Sequence, residues 1–337
     1  MSPSPVTISI ALVHGMLAGV QARGQPCDVY LADAGIAPAL LQEAGARVTA
    51  DQYIGLFRSL IDRLGDEGLG FLSRPLKPGS FALTARSALG APDLETAIRR
   101  IARTFRLVQD DVELVPVREA DLAGLALQFT GTAAAPPAFL HEMLLRVFWR
   151  LLAWLAGGQL PAARFDFAFA CPPHVGSYGK VFPAQLYFGQ ARSAIWFDAV
   201  RLESPVRRDA AALRTFLAEA QANVIMPRRR EEMTSARVRG HLQHTQPGWP
   251  DLAATADALH MSVSTLQRRL ATEGTSFQAL KDELRRDIAI VRLNTSKVPL
   301  AALAQELGFT DSAAFQRAFK AWTGSAPGTY RRGESGG

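Results

Sequence analysis

Cysteine is scarce in this chain of 337 residues, with Cys27 and Cys171 as its two thiols. Two cysteines cannot form the disulfide framework of a small extracellular domain, so the count is typical of a protein in a reducing compartment. Long apolar runs are lacking as well. The longest near the N-terminus, residues 8–20, is interrupted by Ser9 and His14 and falls short of the roughly 18 to 20 residues that span a bilayer. We expect a soluble, cytoplasmic protein without contact to a membrane.

The sequence also lacks a convincing set of catalytic or metal-binding side chains. Between Cys171 and His174 two prolines fix an extended turn, and no further cysteine or nearby histidine completes a metal site. His14 and His141 fall in apolar helical patterns, which favours core histidines over ligand contacts. Two carboxylate pairs are expected to be solvated because adjacent side chains point to different sides; they are Asp110 with Asp111 and Glu231 with Glu232. We therefore expect no enzyme activity, no cofactor and no metal.

Positive charge is concentrated in the last third of the chain. From Pro227 onward there are 16 Lys and Arg against 11 Asp and Glu, a net charge of +5, whereas the first 226 residues have 21 against 20, a net charge of +1. Such an imbalance is a weak sign that the C-terminal part meets a polyanion. At this length two domains are expected.

The first two thirds of the chain combine helical and strand patterns. Apolar residues recur at helical spacing through residues 139–155 and 93–107, and alternation predicts strands at 165–169 and 193–197. Further segments predict a hairpin of residues 112–117 and 122–130 and a last helix over 206–225. We expect an α+β sensor domain over residues 1–226. Pro227 and the charge cluster after it indicate a linker over 227–236.

The C-terminal third contains one pattern twice. Residues 252–270 read LAATADALHMSVSTLQRRL and residues 300–320 read LAALAQELGFTDSAAFQRAFK, so the copies are about 48 positions apart (252 against 300). Each predicts a helix-turn-helix, in which a first helix packs across a second whose outer face is free to enter the major groove of DNA. Ser262 is predicted to cap the second helix of the first copy, and Thr310 or Asp311 that of the second. The region is therefore expected to be an all-α domain over 237–333.

A long helical pattern joins the two copies. Over residues 276–295 an apolar stripe recurs at helical spacing, and the charged residues 281–283, 285 and 286 are expected to face away from it. Twenty residues at 1.5 Å each make a rod of roughly 30 Å, close to the pitch of DNA of about 34 Å. The length predicts a linker helix that holds two reading helices one turn of the duplex apart.

These residues resemble the AraC/XylS family of bacterial transcription regulators. Residues 306–324, ELGFTDSAAFQRAFKAWTG, followed by Ser325, Pro327 and Tyr330, closely resemble the family signature in the second motif, and the first copy matches it through residues 261–277. His260 departs from the pattern, because a glycine is common there and Gly308 stands in the second copy. If this turn needs a positive φ, His260 is tolerated with strain.

The N-terminal part resembles, more loosely, the sensor domain labelled arabinose-binding in one subgroup of this family. The stretches concerned are residues 89–94, 112–129, 182–189 and 195–197. The resemblance implies a small-molecule effector of unknown identity, a homodimer through the N-terminal domain, and RNA polymerase as a partner. It identifies no effector-binding residue.

We expect a sequence-specific DNA-binding transcriptional regulator that is controlled by a small-molecule effector. Its partner is double-stranded promoter DNA. The side chains expected at base edges are Ser264, Gln267, Arg268, Ser312, Ala313, Gln316 and Arg317. Phosphate contacts are expected from Arg269, Lys320 and Arg331. Two alternatives stay open: an enzyme domain fused to a DNA-binding tail, and a binder without sequence preference, whose affinity would fall steeply with salt.

Overall fold

The computed structural model describes residues 6–130, 136–158, 160–218 and 233–331. Contacts between residues divide the chain into two compact units. We call residues 12–33 and 54–228 the sheet unit. Residues 1–11, 34–53 and 229–337 form the second, which we call the repeat unit because it holds both copies of the C-terminal pattern.

The chain alternates helices and short strands in its first two thirds and is helical thereafter. The helices are α1 Ile10–Ala22, α2 Asp28–Ala34, α3 Ala50–Leu64, α4 Ser80–Ser87, α5 Leu94–Val108, α6 Ala138–Leu155, α7 Ala210–Ala218, α8 Thr234–His244, α9 Leu252–Ala258, α10 Val263–Thr272, α11 Phe277–Thr295, α12 Leu300–Glu306 and α13 Ser312–Thr323. The strands are β1 Thr7–Ser9, β2 Arg47–Thr49, β3 Val112–Glu119, β4 Leu122–Phe129, β5 Arg164–Asp166, β6 Gln185–Tyr187 and β7 Ser193–Asp198.

The sheet unit is built on a five-stranded sheet in the order β3-β4-β7-β5-β6. The predicted hairpin is confirmed: β3 and β4 pair from Val112 with Phe129 to Glu119 with Leu122. The turn between them passes through Ala120 with a φ of 48°. Strand β7 pairs with both β4 and β5, all antiparallel, and only β5 with β6 is parallel.

Helix α6 forms the core of the sheet unit. Its predicted apolar stripe is confirmed, and the helix is buried on most of its circumference. Phe148 meets Phe105 of α5 edge to face, with ring centroids 5.1 Å apart. Such aromatic pairs add to the stability that burial alone provides. Helix α5 is also as predicted and begins after Asp93, whose carboxylate accepts the Thr96 N–H at 2.8 Å.

Two elements are shorter than the pattern predicts. Strand β5 ends at Asp166, so the alternation through Phe169 does not continue as a strand. The Phe167 N–H still donates to the carbonyl of Tyr187 at the end of β6, but the Phe167 C=O accepts the N–H of Gln190, which lies in the loop after β6. Helix α7 begins at Ala210, since the Asp209 carboxylate accepts the Ala212 N–H. The rest of the expected helix, from residue 219, lies outside the described residues, as do Glu231, Glu232 and most of the predicted linker.

His14 and His141 do not share an environment. His14 is exposed on α1, so the prediction of a core histidine is wrong there, because α1 turns this position of its apolar sequence outward. His141 is buried, and its Nδ1 lies 2.8 Å from the Ser193 hydroxyl oxygen. Burial lowers the pKa of His141 to about 4.

The repeat unit consists of helices α8 to α13 and a two-stranded sheet of β1 and β2. These strands pair from Thr7 with Thr49 to Ser9 with Arg47. They belong to this unit although both lie more than 180 residues before α8 in the sequence. The described residues contain no helix that is long and apolar enough to cross a membrane.

Candidate nucleic-acid interface

Helix α10 of the first copy buries one face and exposes the other. Ser262 caps it as predicted, since its hydroxyl accepts the Thr265 N–H at 3.2 Å. Leu266 and Leu270 are fully buried and fix the helix against its neighbours. The opposite side carries Ser264, Gln267, Arg268 and Arg269, all exposed. These four side chains are polar, and two of them are basic.

Helix α13 of the second copy repeats this arrangement. Asp311 is its cap and accepts the Ala314 N–H at 2.7 Å, and Phe315 and Phe319 are fully buried. The helix ends at Gly324, whose φ of 78° is the left-handed conformation typical of a helix C-terminus. Among the outward positions, the exposed residues are Ala313, Gln316, Arg317 and Lys320, and Ser312 is half-buried.

The two helix starts differ in charge. Ser262 caps α10 with a neutral hydroxyl, whereas Asp311 brings a carboxylate to the start of α13. The backbone N–H of Ala314 lowers the pKa of Asp311, which favours the ionised form. Because a phosphate would meet this negative charge, the start of α10 suits an anion better than the start of α13.

Both tight turns pass through a left-handed residue. Gly308 in the second copy has a φ of 73°, and His260 at the equivalent place has a φ of 56°. The prediction for His260 is therefore confirmed: it adopts a conformation that glycine reaches without strain. An added Cβ at Gly308 would lie 2.9 Å from Cδ1 of Trp249, so this turn requires glycine for space as well as for its φ.

The linker helix α11 has the predicted length, with 19 residues and Ser276 as its cap, or about 28 Å. Its charged residues do not face away from the protein, contrary to the prediction. Lys281 Nζ donates to the carbonyls of Trp249 and Pro250, each at 3.0 Å. The Arg285 guanidinium stacks over the rings of Trp249 and Phe309, 4.9 and 5.0 Å from their centroids. Since α11 also packs against α8, β1 and β2, it buries more than one face.

Arg285 therefore links the second copy to the segment that leads into the first. Trp249 precedes the first copy and Phe309 lies in the turn of the second, and the guanidinium sits against both rings. The Trp249 indole N–H also donates to the Glu306 carbonyl at 2.9 Å. Two aromatic contacts and one hydrogen bond fix the second turn against the segment that leads into the first motif.

A buried carboxylate organises the other side of α11. Asp287 is 2% exposed. It accepts hydrogen bonds from the Thr7 hydroxyl at 2.5 Å and from the guanidinium groups of Arg239 and Arg286. Burial alone would raise the pKa of Asp287, but the positive charges of Arg239, Arg286 and Arg47 outweigh it and hold this pKa below its ordinary value.

The N-terminal strands complete this polar core. Arg47 of β2 donates to the Thr7 hydroxyl and carbonyl, both at 2.7 Å, and its backbone N–H donates to the Tyr330 hydroxyl at 3.1 Å. Gln52, in the first turn of α3, donates to the side chain of Asn294 near the end of α11 at 2.8 Å. Residues from both ends of the chain thus hold the linker helix.

The candidate residues outside this surface lie in the sheet unit. Cys171 is an exposed free thiol. His174 faces Tyr178, with ring centroids 5.6 Å apart. Asp110 pairs with Arg74, and Asp111 accepts from the Ser73 N–H and hydroxyl, so this pair binds a neighbouring loop instead of being only solvated. Within the described residues there is no group of three potential metal ligands.

Arg331, the third expected phosphate contact, is half-buried, and its guanidinium donates to the Val298 carbonyl at 2.7 Å. Arg269 and Lys320 are exposed. The roles of Arg285 and Asp287 in organising α11 could not be predicted from the sequence, because charged side chains on a helix are usually solvated.

Comparison with known proteins agrees with this architecture. Residues 24–206 match the model of the arabinose-binding domain found at the N-terminus of AraC transcription regulators, and residues 255–333 match a helix-turn-helix domain. The first match alone spans more than half of the chain.

Relatives align over nearly the whole length. The chain is 27% identical to the ornithine utilization regulator of Pseudomonas aeruginosa over 96% of each chain. It is 29% identical to an uncharacterized helix-turn-helix transcriptional regulator of Mycobacterium tuberculosis over 92% of each. A crystal structure of the transcriptional regulator CdpR from Pseudomonas aeruginosa aligns over 97% of this chain and 99% of that one, at 19% identity and a TM-score of 0.33. With an N-terminal ligand domain of the arabinose-binding type and a C-terminal helix-turn-helix DNA-binding domain, this chain belongs to the AraC family of transcriptional regulators.

Proposed function

We propose that α10 and α13 read two successive major-groove windows of promoter DNA. The observation that supports this most directly is the equivalent placement of two Gln-Arg pairs. Gln267-Arg268 and Gln316-Arg317 are exposed on helices whose opposite faces are fully buried. Glutamine and arginine make paired hydrogen bonds to adenine and guanine edges, respectively. Ser264, Ser312 and Ala313 lie beside these pairs and are proposed to complete the base contacts.

Phosphate contacts are proposed for Arg269, Lys320 and Arg331. The first two extend from the same helices, one or more positions beyond the reading residues, and are exposed. Arg331 would contact phosphate with the guanidinium N–H groups that its bond to Val298 leaves available. Such contacts set the register on the duplex and carry no base preference of their own.

A binding assay on DNA fragments selected from the host genome tests this assignment. Arg317→Ala is expected to cost about 1 to 3 kcal/mol of binding free energy on the preferred site and to relax the choice at one base pair. Arg99→Ala, an exposed arginine on α5 of the sheet unit, is the matched control and should bind as the parent does. If Arg317→Ala binds each DNA sequence with the same affinity as the parent does, Arg317 does not contact a base.

The same assay distinguishes a binder without sequence preference. Such a protein would lose affinity steeply with salt and would show little difference between competitor sequences. For the parent chain we expect unrelated competitor DNA to displace a bound selected fragment much more weakly than an unlabelled copy of that fragment does.

We propose that the sheet unit holds the small-molecule effector and also carries a homodimer contact, and that the regulator acts on RNA polymerase in the cytoplasm. In this division residues 12–33 and 54–226 form the sensor, 227–236 the linker, and 237–333 hold both reading helices. Residues 1–11 and 34–53 complete the core of the DNA-binding part, as their contacts with α11 suggest.

We further propose that the chain has no catalytic activity, in line with relatives that are named as transcriptional regulators. If the parent chain converts a candidate metabolite and both Cys171→Ala and His174→Ala lose this turnover, the proposal of no catalytic activity is wrong. Effector control itself fails if DNA occupancy by the full chain is the same under every inducing growth condition.

A further inference from the structure

The sheet unit contains an apolar cavity of about 360 Å³ between α3, α4, α5 and α6. Its size lies in the range of small-molecule sites, about 300 to 1,000 Å³. The walls are mainly aromatic and aliphatic, and they include Phe57, Phe81, Phe105, Met143, Leu144 and Phe148. A cavity with such a lining gains most from a ligand that buries apolar surface.

The charged groups on the wall are all acidic. Among the described residues that line the cavity, Asp62 and Glu67 are ionisable, and no lysine, arginine or histidine accompanies them. Burial raises the pKa of the Glu67 carboxyl, because a carboxylate loses hydration when it is removed from water. An anionic ligand would lose its hydration here without meeting a cation, so its binding is disfavoured.

Glu67 also fixes a wall of the cavity. Its two carboxylate oxygens accept the backbone N–H groups of Gly79 and Phe81, at 2.7 and 2.8 Å. These bonds hold the start of α4, which has no side-chain cap of its own at Gly79. A ligand group that donates to Glu67 would compete with them, and because the ring of Phe81 lines the cavity, ligand binding and the position of α4 are connected.

We propose that this cavity binds the effector and that the effector is a mainly apolar small molecule, either neutral or carrying one positive charge, such as an alcohol or an amine. The identification of the ligand as the effector rests on the proposed effector control. The preference against anions rests only on the lining of the cavity.

The preference of the cavity for neutral or cationic ligands over anions can be measured on the full chain by displacement of the neutral fluorescent probe N-phenyl-1-naphthylamine. The competitors are 1-octanol, octylamine and octanoate, which share one apolar chain and differ in the charge of the head group. The alcohol and the amine are expected to displace the probe at concentrations at least about tenfold lower than octanoate, a difference of about 1.4 kcal/mol. Equal or stronger displacement by octanoate would overturn the assignment of ligand charge.

A pair of variants on α4 tests the location. Ala82 lines the cavity, whereas its neighbour Leu83 is 53% exposed on the same helix. Ala82→Phe fills part of the volume and is expected to weaken probe binding by at least about tenfold. Leu83→Phe adds an aromatic ring outside the cavity and should leave probe binding unchanged. If both variants bind the probe as the parent does, the cavity is not the site.

Two further variants test the acidic wall. Glu67→Gln is expected to remove most of the advantage of octylamine over octanoate, and a melting curve will show whether the loss of one cap of α4 has disturbed the fold. Asp62→Asn, at an exposed position on α3, keeps those bonds intact and should reduce octylamine binding while octanol binding is unchanged. Octylamine binding that is unaffected by both variants would contradict a role of the carboxylates.

Failure of the cavity proposal can be distinguished experimentally from failure of the proposed DNA reading. Binding of the selected DNA fragments by Ala82→Phe, measured without any small molecule, should equal that of the parent. Arg317→Ala should lose DNA affinity and bind the probe normally. If the chain binds DNA with the expected sequence preference but does not bind the probe, the cavity proposal is refuted and the proposed DNA reading is unaffected.

Discussion

Gly308 lies against the indole ring of Trp249, so closely that a methyl group on Gly308 would stand 2.9 Å from Cδ1 of the ring. The same glycine has a φ of 73°, and His260 occupies the equivalent turn of the first copy with a φ of 56°. The same left-handed turn is therefore formed by a glycine in the second copy and by a histidine in the first. In the first copy backbone strain is tolerated at an exposed position, whereas in the second the packing of Trp249 leaves no room for a side chain.

Alanine substitutions at the two turns should therefore differ. Gly308→Ala combines the cost of a left-handed residue, about 1 kcal/mol or more, with the displacement of Trp249, and we expect a loss of more than about 2 kcal/mol in the free energy of unfolding. His260→Ala keeps the backbone conformation and should change this free energy by less than about 0.5 kcal/mol. Urea unfolding of both variants, followed by circular dichroism, checks the difference. Similar losses would show that the Trp249 contact is unimportant.

Removal of the buried Asp287 carboxylate should destabilise the repeat unit. Asp287→Ala leaves the guanidinium groups of Arg239 and Arg286 without their shared acceptor, and we expect a cost of about 3 to 5 kcal/mol. Asp257→Ala, an exposed aspartate on α9, is the matched control. Hydrogen exchange of the amides of α11 reports the effect locally. Protection of α11 that is equal in the two variants would rule out a structural role for the network.

Variants of the phosphate-contacting residues should differ from variants of the base-contacting residues in how their DNA affinity depends on salt concentration. Arg269→Ala and Lys320→Ala are each expected to reduce the slope of log affinity against log salt by about 0.9 and to weaken binding to all sequences alike. Gln267→Ala and Gln316→Ala should leave the slope unchanged and alter the preferred base. Fluorescence anisotropy titrations at several salt concentrations measure both quantities. A changed slope in the glutamine variants would reverse the assignment.

His141 should make the sheet unit sensitive to acid. Burial lowers the pKa of His141 from 6.5 to about 4, so as the pH falls below 6.5 the unfolded chain takes up a proton that the folded chain does not. The stability contributed by the neutral ring is present above pH 6.5 and is lost as the pH falls to about 4, by at most about 3 kcal/mol.

Unfolding of His141→Gln should show a smaller loss of stability over this range, measured by urea denaturation at each pH. His14→Gln changes an exposed histidine and leaves His141 in place, so it should keep the full loss. If His141→Gln and the parent lose stability equally, protonation of His141 does not contribute.

Local patterns predict much of this protein. The hairpin of β3 and β4, helices α5 and α6, the caps Ser262 and Asp311, and the strained turn at His260 all follow from residue spacing and backbone preferences. They depend on neighbours within a few positions, where helical and strand periodicity determine which side chains share a face.

Partners far apart in the sequence could not be predicted in this way. Thr7 and Asp287 bond across 280 positions, and periodicity shows which face of a helix is buried but not what covers it. Helical spacing predicts Arg285 and Lys281 in solvent, the usual place for a charged residue. Only the positions of Trp249 and Phe309 in three dimensions show why these cations are half-buried.

The strands β1 and β2 have a consequence for the engineering of hybrid regulators. A chimera that exchanges the first two hundred residues with those of another family member also exchanges Thr7 and Arg47, which interact with each other and surround the Asp287 carboxylate. Sensors should therefore be exchanged with residues 1–11 and 34–53 retained from the parent that supplies the reading helices. A graft made only at the linker would join two foreign halves of a single polar core.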